Sequence, residues 1–375
     1  MICGPGRRLS VSAIPLTAEK DLPILRRVIE QNSTNTLHRD VFMSRIMTVS
    51  NVTSLTVRAY LFGFFLAVVP SLAQAQSTGR AGRPLRVAYL STSATMASVW
   101  MAKEMGAFTK EGLDIEVLSM SSSSAIPALI ANEIDVVQVS AAPVITASLR
   151  GIDVVFIAGL LNTMIWDFYA RPEIKTAEQL KGKLIGTDRP ATPVAYGTLV
   201  ALKKMGLTPK DVQLRPLGSS PQIVAAFYAG QIAGGVGSPP ASFLLERAGF
   251  HSLVSLLDVP YQNVGLVVRR SRMEELGSRL VSLLRAVRAG VERYYADKSF
   301  AMKVIGKYTK EADPEVLDRS YEFYKKAGFR RELLTSEPGL QGILDFLSES
   351  IPEAKTARPA QFFDDRFVRR VNSGK

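Results

Sequence analysis

The chain has 375 residues, of which 47% are hydrophobic and 21% are charged. This length and composition exclude a disordered chain and allow a full hydrophobic core divided over two domains. The net charge of +12 raises the question of a nucleic-acid or membrane-surface partner. With one cysteine, Cys3, and two histidines, His38 and His251, the folded part excludes a cysteine-rich zinc site, a disulfide framework and a cysteine–histidine nucleophile pair.

The N-terminal region has the pattern of a secretory signal peptide. No Asp or Glu occurs between Val41 and Lys103, and this window contains the ten-residue apolar run Tyr60–Val69, preceded by Arg45 and Arg58. Ten apolar residues match the hydrophobic region of a signal peptide and fall short of the ~20 that a membrane-spanning helix needs. A membrane anchor that is retained is the alternative interpretation.

We expect cleavage after Ala75, because Ala73 and Ala75 are small residues at the two positions that a signal peptidase requires. Residues 47–75 then form the signal peptide, and the mature protein keeps 300 residues with a net charge of +8 and no cysteine. Without cysteine it has neither a disulfide nor a lipidated N-terminal residue. These features predict a soluble protein of the periplasm.

The position of this signal peptide is unusual. A signal peptide begins within about 15–30 residues of its cleavage site, whereas 46 residues precede Met47. We therefore expect translation to start at Met43 or Met47, and residues 1–46 to be a non-structural N-terminal extension.

The mature part alternates predicted strands and helices. Apolar runs rich in β-branched residues alternate with helical segments, which is typical of an α/β fold with a largely parallel, doubly wound sheet. The predicted strands are 85–89, 114–119, 135–139, 153–160, 183–187, 212–216 and 264–268. The predicted helices are 94–105, 124–131, 144–149, 193–205, 223–229 and 242–248, and in the helical last hundred residues 272–297, 300–308, 314–327, 340–349 and 364–371.

One α/β unit occurs twice. An ungapped shift of 98 residues aligns 114–142 with 212–240, and both copies read as strand, serine loop, helix, strand and serine turn. The repeat predicts two similar lobes, each with a serine-rich loop at the carboxyl end of a strand, where ligands bind in open α/β sheets. A chance match between generic strand–helix units is the alternative. The paired serines are Ser121 with Ser219, Ser122 with Ser220 and Ser140 with Ser238.

Four segments carry a family resemblance. They are 99–117 (VWMAKEMGAFTKEGLDIEV), 132–136 (NEIDV), 177–186 (AEQLKGKLIG) and 204–212 (KMGLTPKDV). They resemble, in order, the opening, the G-x-x-D-V strand entry, the LkGKkiG segment and the following helix-to-strand link of one family. That family is the periplasmic substrate-binding proteins of ABC importers in the nitrate/sulfonate/taurine group, with thiamine-pyrimidine-synthase-like relatives. The matches together span about residues 85–270.

The resemblance implies a two-lobed type II periplasmic binding protein fold with a hinge and an interlobe ligand cleft. Lobe 1 is then expected to contain 84–165 and 266–375, with the C-terminal helices as its scaffold, and lobe 2 to contain 166–265. Two residues depart from the family pattern. Asn132 stands where Gly is usual, and Ala233 stands where the second lobe usually has Asp.

The motifs of common catalytic sites are not found. The mature sequence contains no phosphate-binding loop, no G-x-G-x-x-G after a strand, no H-E-x-x-H and no G-x-S-x-G elbow. We expect the glycines of Gly234–Gly237 to allow close backbone approach, and His251 to be structural. The sequence therefore predicts no catalytic residue, no metal, no cofactor and no enzymatic activity.

Hydroxyl groups near predicted helix N-termini are the candidate ligand contacts. A helix N-terminus presents unpaired N–H groups and a partial positive charge, which suit a carboxylate, a sulfonate or a similar anion. The alternative is that these hydroxyls only cap their helices. The candidates are Ser91, Thr92, Ser93, Thr95, Ser121, Ser122, Ser140, Thr192, Ser219, Ser220 and Ser238.

Three larger side chains complete the candidate site. Arg189 follows a predicted strand, where it would clamp an anion bidentately or instead pair with Asp188. Trp166 and Tyr196 are expected to stack on a ring of the ligand or to line an apolar part of the cleft. A hydroxyl-rich, aromatic-lined cleft with one arginine favours an organic anion over bare nitrate.

The resemblance implies the solute-binding component of an ABC transporter. It would capture a small organic or inorganic anion between its lobes: a sulfonate, nitrate, a taurine-like solute, a carboxylate or an aromatic acid. Besides this ligand, the implied partners are the ABC permease and ATPase at the inner membrane, with no nucleic acid, and a monomer is expected. Two alternatives stay open. One is a pyrimidine-precursor binding or biosynthesis protein of the thiamine-pyrimidine-synthase-like branch, and the other is a periplasmic sensory receptor.

Overall fold

The computed structural model describes residues 83–374, apart from Ala191, Ser219 and the side chain of Ser122. The expected N-terminal extension, the signal peptide and its cleavage after Ala75 lie outside the described residues. In the described range, no helix combines the length and the apolar character that crossing a membrane requires.

The described residues form two five-stranded sheets. Sheet A has the strand order β2-β1-β3-β10-β4, and sheet B has the order β7-β6-β8-β5-β9. Four strands of each sheet run in one direction, and the fifth, β10 or β5, is antiparallel to both of its neighbours. The strands are β1 Leu85–Tyr89, β2 Ile115–Ser119, β3 Val136–Val139, β4 Val155–Thr163, β5 Asp167–Ala170, β6 Leu184–Thr187, β7 Gln213–Pro216, β8 Gly234–Gly237, β9 His251–Ser255 and β10 Pro260–Val268.

Helices cover both sheets. We call sheet A with its helices lobe 1 and sheet B with its helices lobe 2. The long C-terminal helices belong to lobe 1, since α8 packs against α1, α11 packs against β10 and α12 packs against α8. The helices are α1 Ala97–Glu104, α2 Ala107–Lys110, α3 Ser122–Ile130, α4 Ala141–Leu149, α5 Pro193–Lys204, α6 Ser220–Tyr228, α7 Ala241–Arg247, α8 Met273–Ala296, α9 Lys298–Thr309, α10 Pro314–Ala327, α11 Glu337–Leu347 and α12 Arg366–Asn372.

The two sheets are copies of one arrangement, offset by the 98 residues of the sequence repeat. Helix α3 shifted by 98 residues coincides with α6, and β3 coincides with β8 at both ends. The strand orders also correspond, with β1, β2 and β3 of sheet A matching β6, β7 and β8 of sheet B. The repeat is therefore structural, and the prediction of two similar lobes is confirmed.

Within residues 83–374 the chain passes between the sheets twice, at 164–166 and at 256–259. The two crossing segments are hydrogen-bonded to each other. The backbone N–H of Leu256 donates to the carbonyl oxygen of Trp166 at 3.0 Å, and that of Met164 donates to the carbonyl oxygen of Val259 at 3.1 Å. Because β5 and β10 each enter a sheet from the other lobe, each runs against the strands beside it.

A buried carboxylate organises the amino-terminal edge of sheet A. The side chain of Asp135 is fully buried and forms ion pairs with Arg83 at 2.5 Å and with Arg272, at the start of α8, at 3.0 Å. Its second oxygen accepts the backbone N–H of Arg86 in β1 at 3.0 Å. One carboxylate thus joins the starts of β1, β3 and α8.

The two departures from the family pattern have a structural explanation in this region. Asn132 has a φ of 59°, a left-handed conformation that glycine adopts freely and asparagine tolerates better than most residues. Its side-chain oxygen accepts hydrogen bonds from Arg269 and Arg272. In lobe 2, Ala233 occupies the position of Asp135, and Arg171 bonds the carbonyl oxygen of Ile232 at 2.7 Å instead.

We expect Asp135→Asn to lower the free energy of unfolding by about 3 kcal/mol, because it removes a buried carboxylate that pairs with Arg83 and that is one of the two carboxylates pairing with Arg272. Urea denaturation measures the change. The control is Glu116→Gln, which removes an exposed ion pair with Arg86 at 3.0 Å and should cost less than about 1 kcal/mol. Equal effects of the two substitutions would contradict the role of Asp135.

Candidate functional site

The predicted ligand-contacting hydroxyls lie at the carboxyl ends of strands in both lobes. Such strand ends form the usual ligand-binding edge of an open α/β sheet. In lobe 1 they are Ser91, Thr92, Ser93 and Thr95 after β1, Ser121 after β2 and Ser140 after β3; in lobe 2 they are Thr192 after β6, Ser220 after β7 and Ser238 after β8. Ser219 and the side chain of Ser122 lie outside the described residues.

Tyr324 of α10 joins the two lobes at this edge. Its hydroxyl donates to the carbonyl oxygen of Pro239, which follows β8, at 3.3 Å, and lies 3.3 Å from the hydroxyl of Ser93, which follows β1. Burial raises the pKa of Tyr324 to about 12, so the phenol stays a neutral donor at physiological pH. The sequence analysis missed this residue, because helix 314–327 shows only the apolar pattern of a scaffold helix.

Helix capping explains only part of the hydroxyl set. Ser93 accepts the backbone N–H of Thr95, at 3.4 Å, and Thr192 accepts that of Ala195 at the start of α5, at 3.3 Å. Ser121 and Ser140 stand at the N-cap positions of α3 and α4, but neither side chain makes a capping hydrogen bond. The hydroxyl of Ser140 has no partner among the described residues, so it is available to a ligand.

Other cleft hydroxyls bond to one another or to a nearby backbone N–H. Ser220 and Ser238 of lobe 2 lie 3.3 Å apart through their hydroxyl oxygens. In lobe 1 the hydroxyl of Ser121 bonds those of Ser123 and Ser124, at 3.1 and 2.8 Å. A hydroxyl pair of this kind can exchange its internal bond for one to a ligand at little net cost, because hydrogen bonds of equal type replace each other.

Arg189 points its charge to solvent in this structure. Its side chain is 85% exposed, and its guanidinium lies 4.0 Å from the carboxylate of Asp188. Its backbone carbonyl accepts a hydrogen bond from the hydroxyl of Thr192 at 2.8 Å, which holds the loop at the start of α5. Among the residues that the structure describes, the guanidinium itself is held only by an exposed, long ion pair, which costs little to break.

Trp166 and Tyr196 pack around the crossing segments. Trp166 is 6% exposed and forms an edge contact with Tyr261, with ring centroids 6.0 Å apart. Gly197 faces the Trp166 ring, and a Cβ there would lie 3.2 Å from it. Tyr196 stacks on Phe346 of α11 at 4.7 Å, and burial raises its pKa to about 12. Both rings therefore pack against other side chains of the protein, and their contact with a ligand stays a prediction.

Charged pairs also link α10 of lobe 1 to α7 of lobe 2. Arg319 pairs with Glu246 and lies 4.1 Å from the ring centroid of Phe243. Arg247 lies 3.3 Å from Glu315 in the opposite direction. Exposed ion pairs contribute at most about 1 kcal/mol each, so these contacts align the two helices without locking the lobes together.

Asp167 begins β5 at the same edge of sheet B. Its Oδ1 atom is buried and has no hydrogen-bond partner among the described residues. Burial raises the pKa of Asp167, and the Glu246 carboxylate adds to this, against the lowering effects of a Ser255 hydrogen bond and of the Lys326 charge. The ionised carboxylate of Asp167 therefore destabilises the folded protein. No sequence pattern predicted a role for this residue.

We expect Tyr324→Phe to lower the free energy of unfolding by about 1 kcal/mol and to increase the radius of gyration, because the phenol bridges the two lobes. Calorimetry and small-angle scattering measure the two effects. The control is Tyr308→Phe, which removes a hydroxyl bonded to Glu104 at 2.8 Å within lobe 1. It should lower stability without changing the radius, and a radius that responds to neither substitution would refute the bridging role.

Asp167→Asn is expected to stabilise the protein at pH 7. The ordinary pKa of this carboxyl is 3.8, and its pKa in the folded protein is higher. Below pH 3.8 both states hold the proton, so the substitution has no charge effect there. As the pH rises, the unfolded state ionises first and the folded state becomes relatively less stable. Urea denaturation between pH 3 and pH 8 measures this.

The control for this pH series is Asp258→Asn. The Lys204 hydrogen bond lowers the pKa of Asp258, so its ionised form stabilises the folded state above the ordinary pKa. This substitution should lower stability at pH 7, opposite in sign to Asp167→Asn. The same sign for both would contradict the assignment of the buried charge.

Comparisons with solved structures establish the fold. SsuA, a periplasmic aliphatic sulphonate binding protein from Escherichia coli, has a TM-score of 0.63 at 18% identity, covering 74% of this chain and 91% of its own. The periplasmic nitrate-binding protein NrtA from Synechocystis PCC 6803 has a TM-score of 0.58 at 15% identity, covering 78% and 88%. These likenesses confirm the two-lobed periplasmic binding protein fold that the sequence predicted.

The same fold also occurs in an enzyme. The desulfurization enzyme DSZB has a TM-score of 0.60 at 15% identity, covering 78% of this chain and all of its own. A comparison with curated proteins finds no match. The model of the NMT1/THI5 like family matches residues 93–299, which is more than half of the chain. The chain therefore belongs to the NMT1/THI5 like family.

Proposed function

We propose that this protein is the periplasmic solute-binding component of an ABC importer, and that it captures a small anion between its lobes. It would be exported by the signal peptide that we expect to be cleaved after Ala75, and would act as a monomer. Its partners would be the permease and ATPase at the inner membrane. The named functions of SsuA and NrtA, sulphonate and nitrate binding, support a ligand of this class.

The observation that carries the proposal is the connection between the lobes. Two chain crossings are hydrogen-bonded to each other, and loops with hydroxyl side chains follow the strand ends of both lobes. A ligand that contacts both lobes stabilises the closed state by its preference for closed over open. The loops after β1 and β8 are already within reach of one side chain, Tyr324. A small solute between them would therefore contact both lobes together.

The groups in the cleft support an anion as the ligand. Ser140, at the start of α4, offers an uncommitted hydroxyl beside the backbone N–H groups of that helix. Hydroxyl and N–H groups donate hydrogen bonds without adding a net charge, and such donors suit carboxylate and sulfonate oxygens. Arg189 is able to turn toward the cleft, because the ion pair that holds its guanidinium is long and exposed and therefore weak.

Binding is favoured over catalysis by the partners of the cleft hydroxyls. Among the described residues, the candidate serines Ser93, Ser121, Ser220 and Ser238 bond to other hydroxyls or to backbone groups, and none of these bonds is to a histidine or a carboxylate. A serine nucleophile needs such a base within hydrogen-bond distance. The resemblance to DSZB therefore concerns the scaffold, since function depends on the site rather than on the fold.

A ligand screen tests the proposal. We expect at least one of a panel of sulfonates, nitrate, bicarbonate, aromatic acids, amino acids and pyrimidines to raise the melting temperature and reduce the radius of gyration. At about 100 times its Kd, a ligand adds about 2.7 kcal/mol of stability, which shifts the melting temperature by several degrees. Stabilisation without compaction, or chemical conversion of the bound solute, would count against a hinged receptor.

The same screen is repeated with Ser140→Ala. Loss of one hydrogen bond to the solute should weaken binding about fivefold, while the stability without ligand stays unchanged, because this hydroxyl has no partner in the described chain. Ser373→Ala is the control, since within the described part of the chain its hydroxyl bonds only the carbonyl oxygen of Arg370 in the last helix. Equal affinities of the two variants would show that the Ser140 hydroxyl does not bind the solute.

A further inference from the structure

The exposed side of the last helix, α12, is formed by arginines. Its seven residues include three arginines and no acidic residue. Residues three and four positions apart lie on one face of a helix, which places all three arginines on the side away from the core. The arginines are Arg366, Arg369 and Arg370, and the buried residues of the helix are Phe367, Val368 and Val371. The apolar side packs within lobe 1, and the basic side is left to solvent.

Two of these arginines keep an uncompensated charge. Arg366 forms ion pairs with two nearby carboxylates. Arg369 and Arg370 are exposed, and their guanidinium groups form no ion pair or hydrogen bond with any residue that the structure describes. Asp365, one turn before Arg369, has a buried carboxyl that accepts a hydrogen bond from Thr335 at 2.9 Å.

A third arginine adjoins the end of α12. Arg288 of α8 donates to the carbonyl oxygen of Val371 at 3.2 Å and to the side-chain oxygen of Asn372 at 3.3 Å. Both acceptors are neutral, so these bonds hold the guanidinium in place without cancelling its charge. We call these three residues the arginine face: Arg288, Arg369 and Arg370.

The groups around this face favour a lipid surface over a protein as its partner. Protein interfaces have an apolar core, but the exposed large hydrophobic residues of the described chain belong to α3, β6 and β7. A guanidinium binds phosphate oxygens with two parallel hydrogen bonds. An anionic lipid surface attracts basic residues without any apolar contact. Because α12 buries its apolar side in the protein, contact with lipid would stay at the level of the headgroups.

We propose that the arginine face binds the phosphates of anionic lipids at a membrane surface. This inference goes beyond the proposed function and does not rest on it, since the face contains no residue of the cleft. It gives a role to part of the basic charge of the chain, which is +12 overall and which a solute site does not explain. For a receptor of the periplasm, such binding would raise its concentration near the permease.

Partitioning of the purified full chain onto lipid vesicles tests the inference. One set of vesicles is phosphatidylcholine alone, and the other contains about 25% phosphatidylglycerol. We expect binding to the anionic vesicles to be at least about fivefold stronger, and to weaken as salt is added, because salt screens exposed charges. The N-terminal apolar run contributes equally to all variants, and the neutral vesicles measure its effect. Equal binding to both kinds of vesicle would overturn the inference.

Substitutions then locate the contact. Arg369→Gln combined with Arg370→Gln should weaken binding to the anionic vesicles about 25-fold, since each basic residue near such a surface contributes about fivefold. Arg369→Lys combined with Arg370→Lys keeps the charge and should retain most of the binding. None of these changes should alter the melting temperature, because the side chains are exposed and make no bond to the described chain.

The matched control is Arg150→Gln combined with Arg215→Gln. These arginines, at the end of α4 and in β7, are exposed and form no ion pair with a described residue. The control removes the same charge at other places and should change binding by less than about twofold. If it weakens binding as much as the substitutions on α12, the attraction comes from net charge alone and the arginine face is not a binding surface.

Two further measurements separate the lipid surface from other anionic partners. Millimolar glycerol phosphate should not displace the protein from the vesicles, because one free phosphate does not reproduce the charge density of a membrane. Displacement would assign the arginines to a soluble phosphate ligand and overturn the inference. Capture on polyglutamate beads that depends on Arg369 and Arg370, without binding to anionic vesicles, would assign them to an acidic protein and also overturn it.

Discussion

The structure depends on how the chain passes between its two sheets. Two short crossing segments, 164–166 and 256–259, lie side by side and share backbone hydrogen bonds at both ends. Aromatic rings, Trp166 and Tyr261 among them, pack around the crossings. Since so little chain joins the lobes, their relative position is set mainly by side-chain contacts across the cleft. A solute in the cleft replaces some of those contacts and adds new ones. Binding of a small molecule can therefore change the relative position of the two lobes.

Duplication accounts for the position of the polar groups. A 98-residue offset relates α3 to α6 and β3 to β8, so each lobe presents the same strand ends to the cleft, with Ser140 of lobe 1 matched by Ser238 of lobe 2. The copies have diverged away from the cleft. Lobe 1 holds its amino-terminal edge together with the buried Asp135 carboxylate, whereas lobe 2 has Ala233 there and a hydrogen bond from Arg171 to backbone. Divergence at the far edge leaves the binding edges alike.

Local patterns predicted most of the elements. Strand β1 and helix α10 have the bounds expected from hydrophobic spacing, since their apolar residues face one core. Strands β5 and β9 were not predicted, because four or five residues carry too little periodicity to separate a strand from a loop. Strand β10 starts at Pro260 rather than at 264. Its first residues form a strand because they pair with β4 after the second crossing, and this pairing is not visible in the local sequence. Serines at strand ends were predicted from the repeat, but Tyr324 comes from 231 residues beyond Ser93.

The sequence by itself determined the alternation of strands and helices, the repeat, the hydroxyls at strand ends and the family. These follow from residue types over short windows and from one internal alignment. Only the tertiary structure decided which hydroxyls cap a helix, which pair with each other and which, like Ser140, stay free. It also decided that Tyr324 bridges the lobes and that Arg288 lies beside the arginines of α12. The physical reason is that a side chain's hydrogen-bond partner and burial depend on residues far away in the chain, which no local pattern contains.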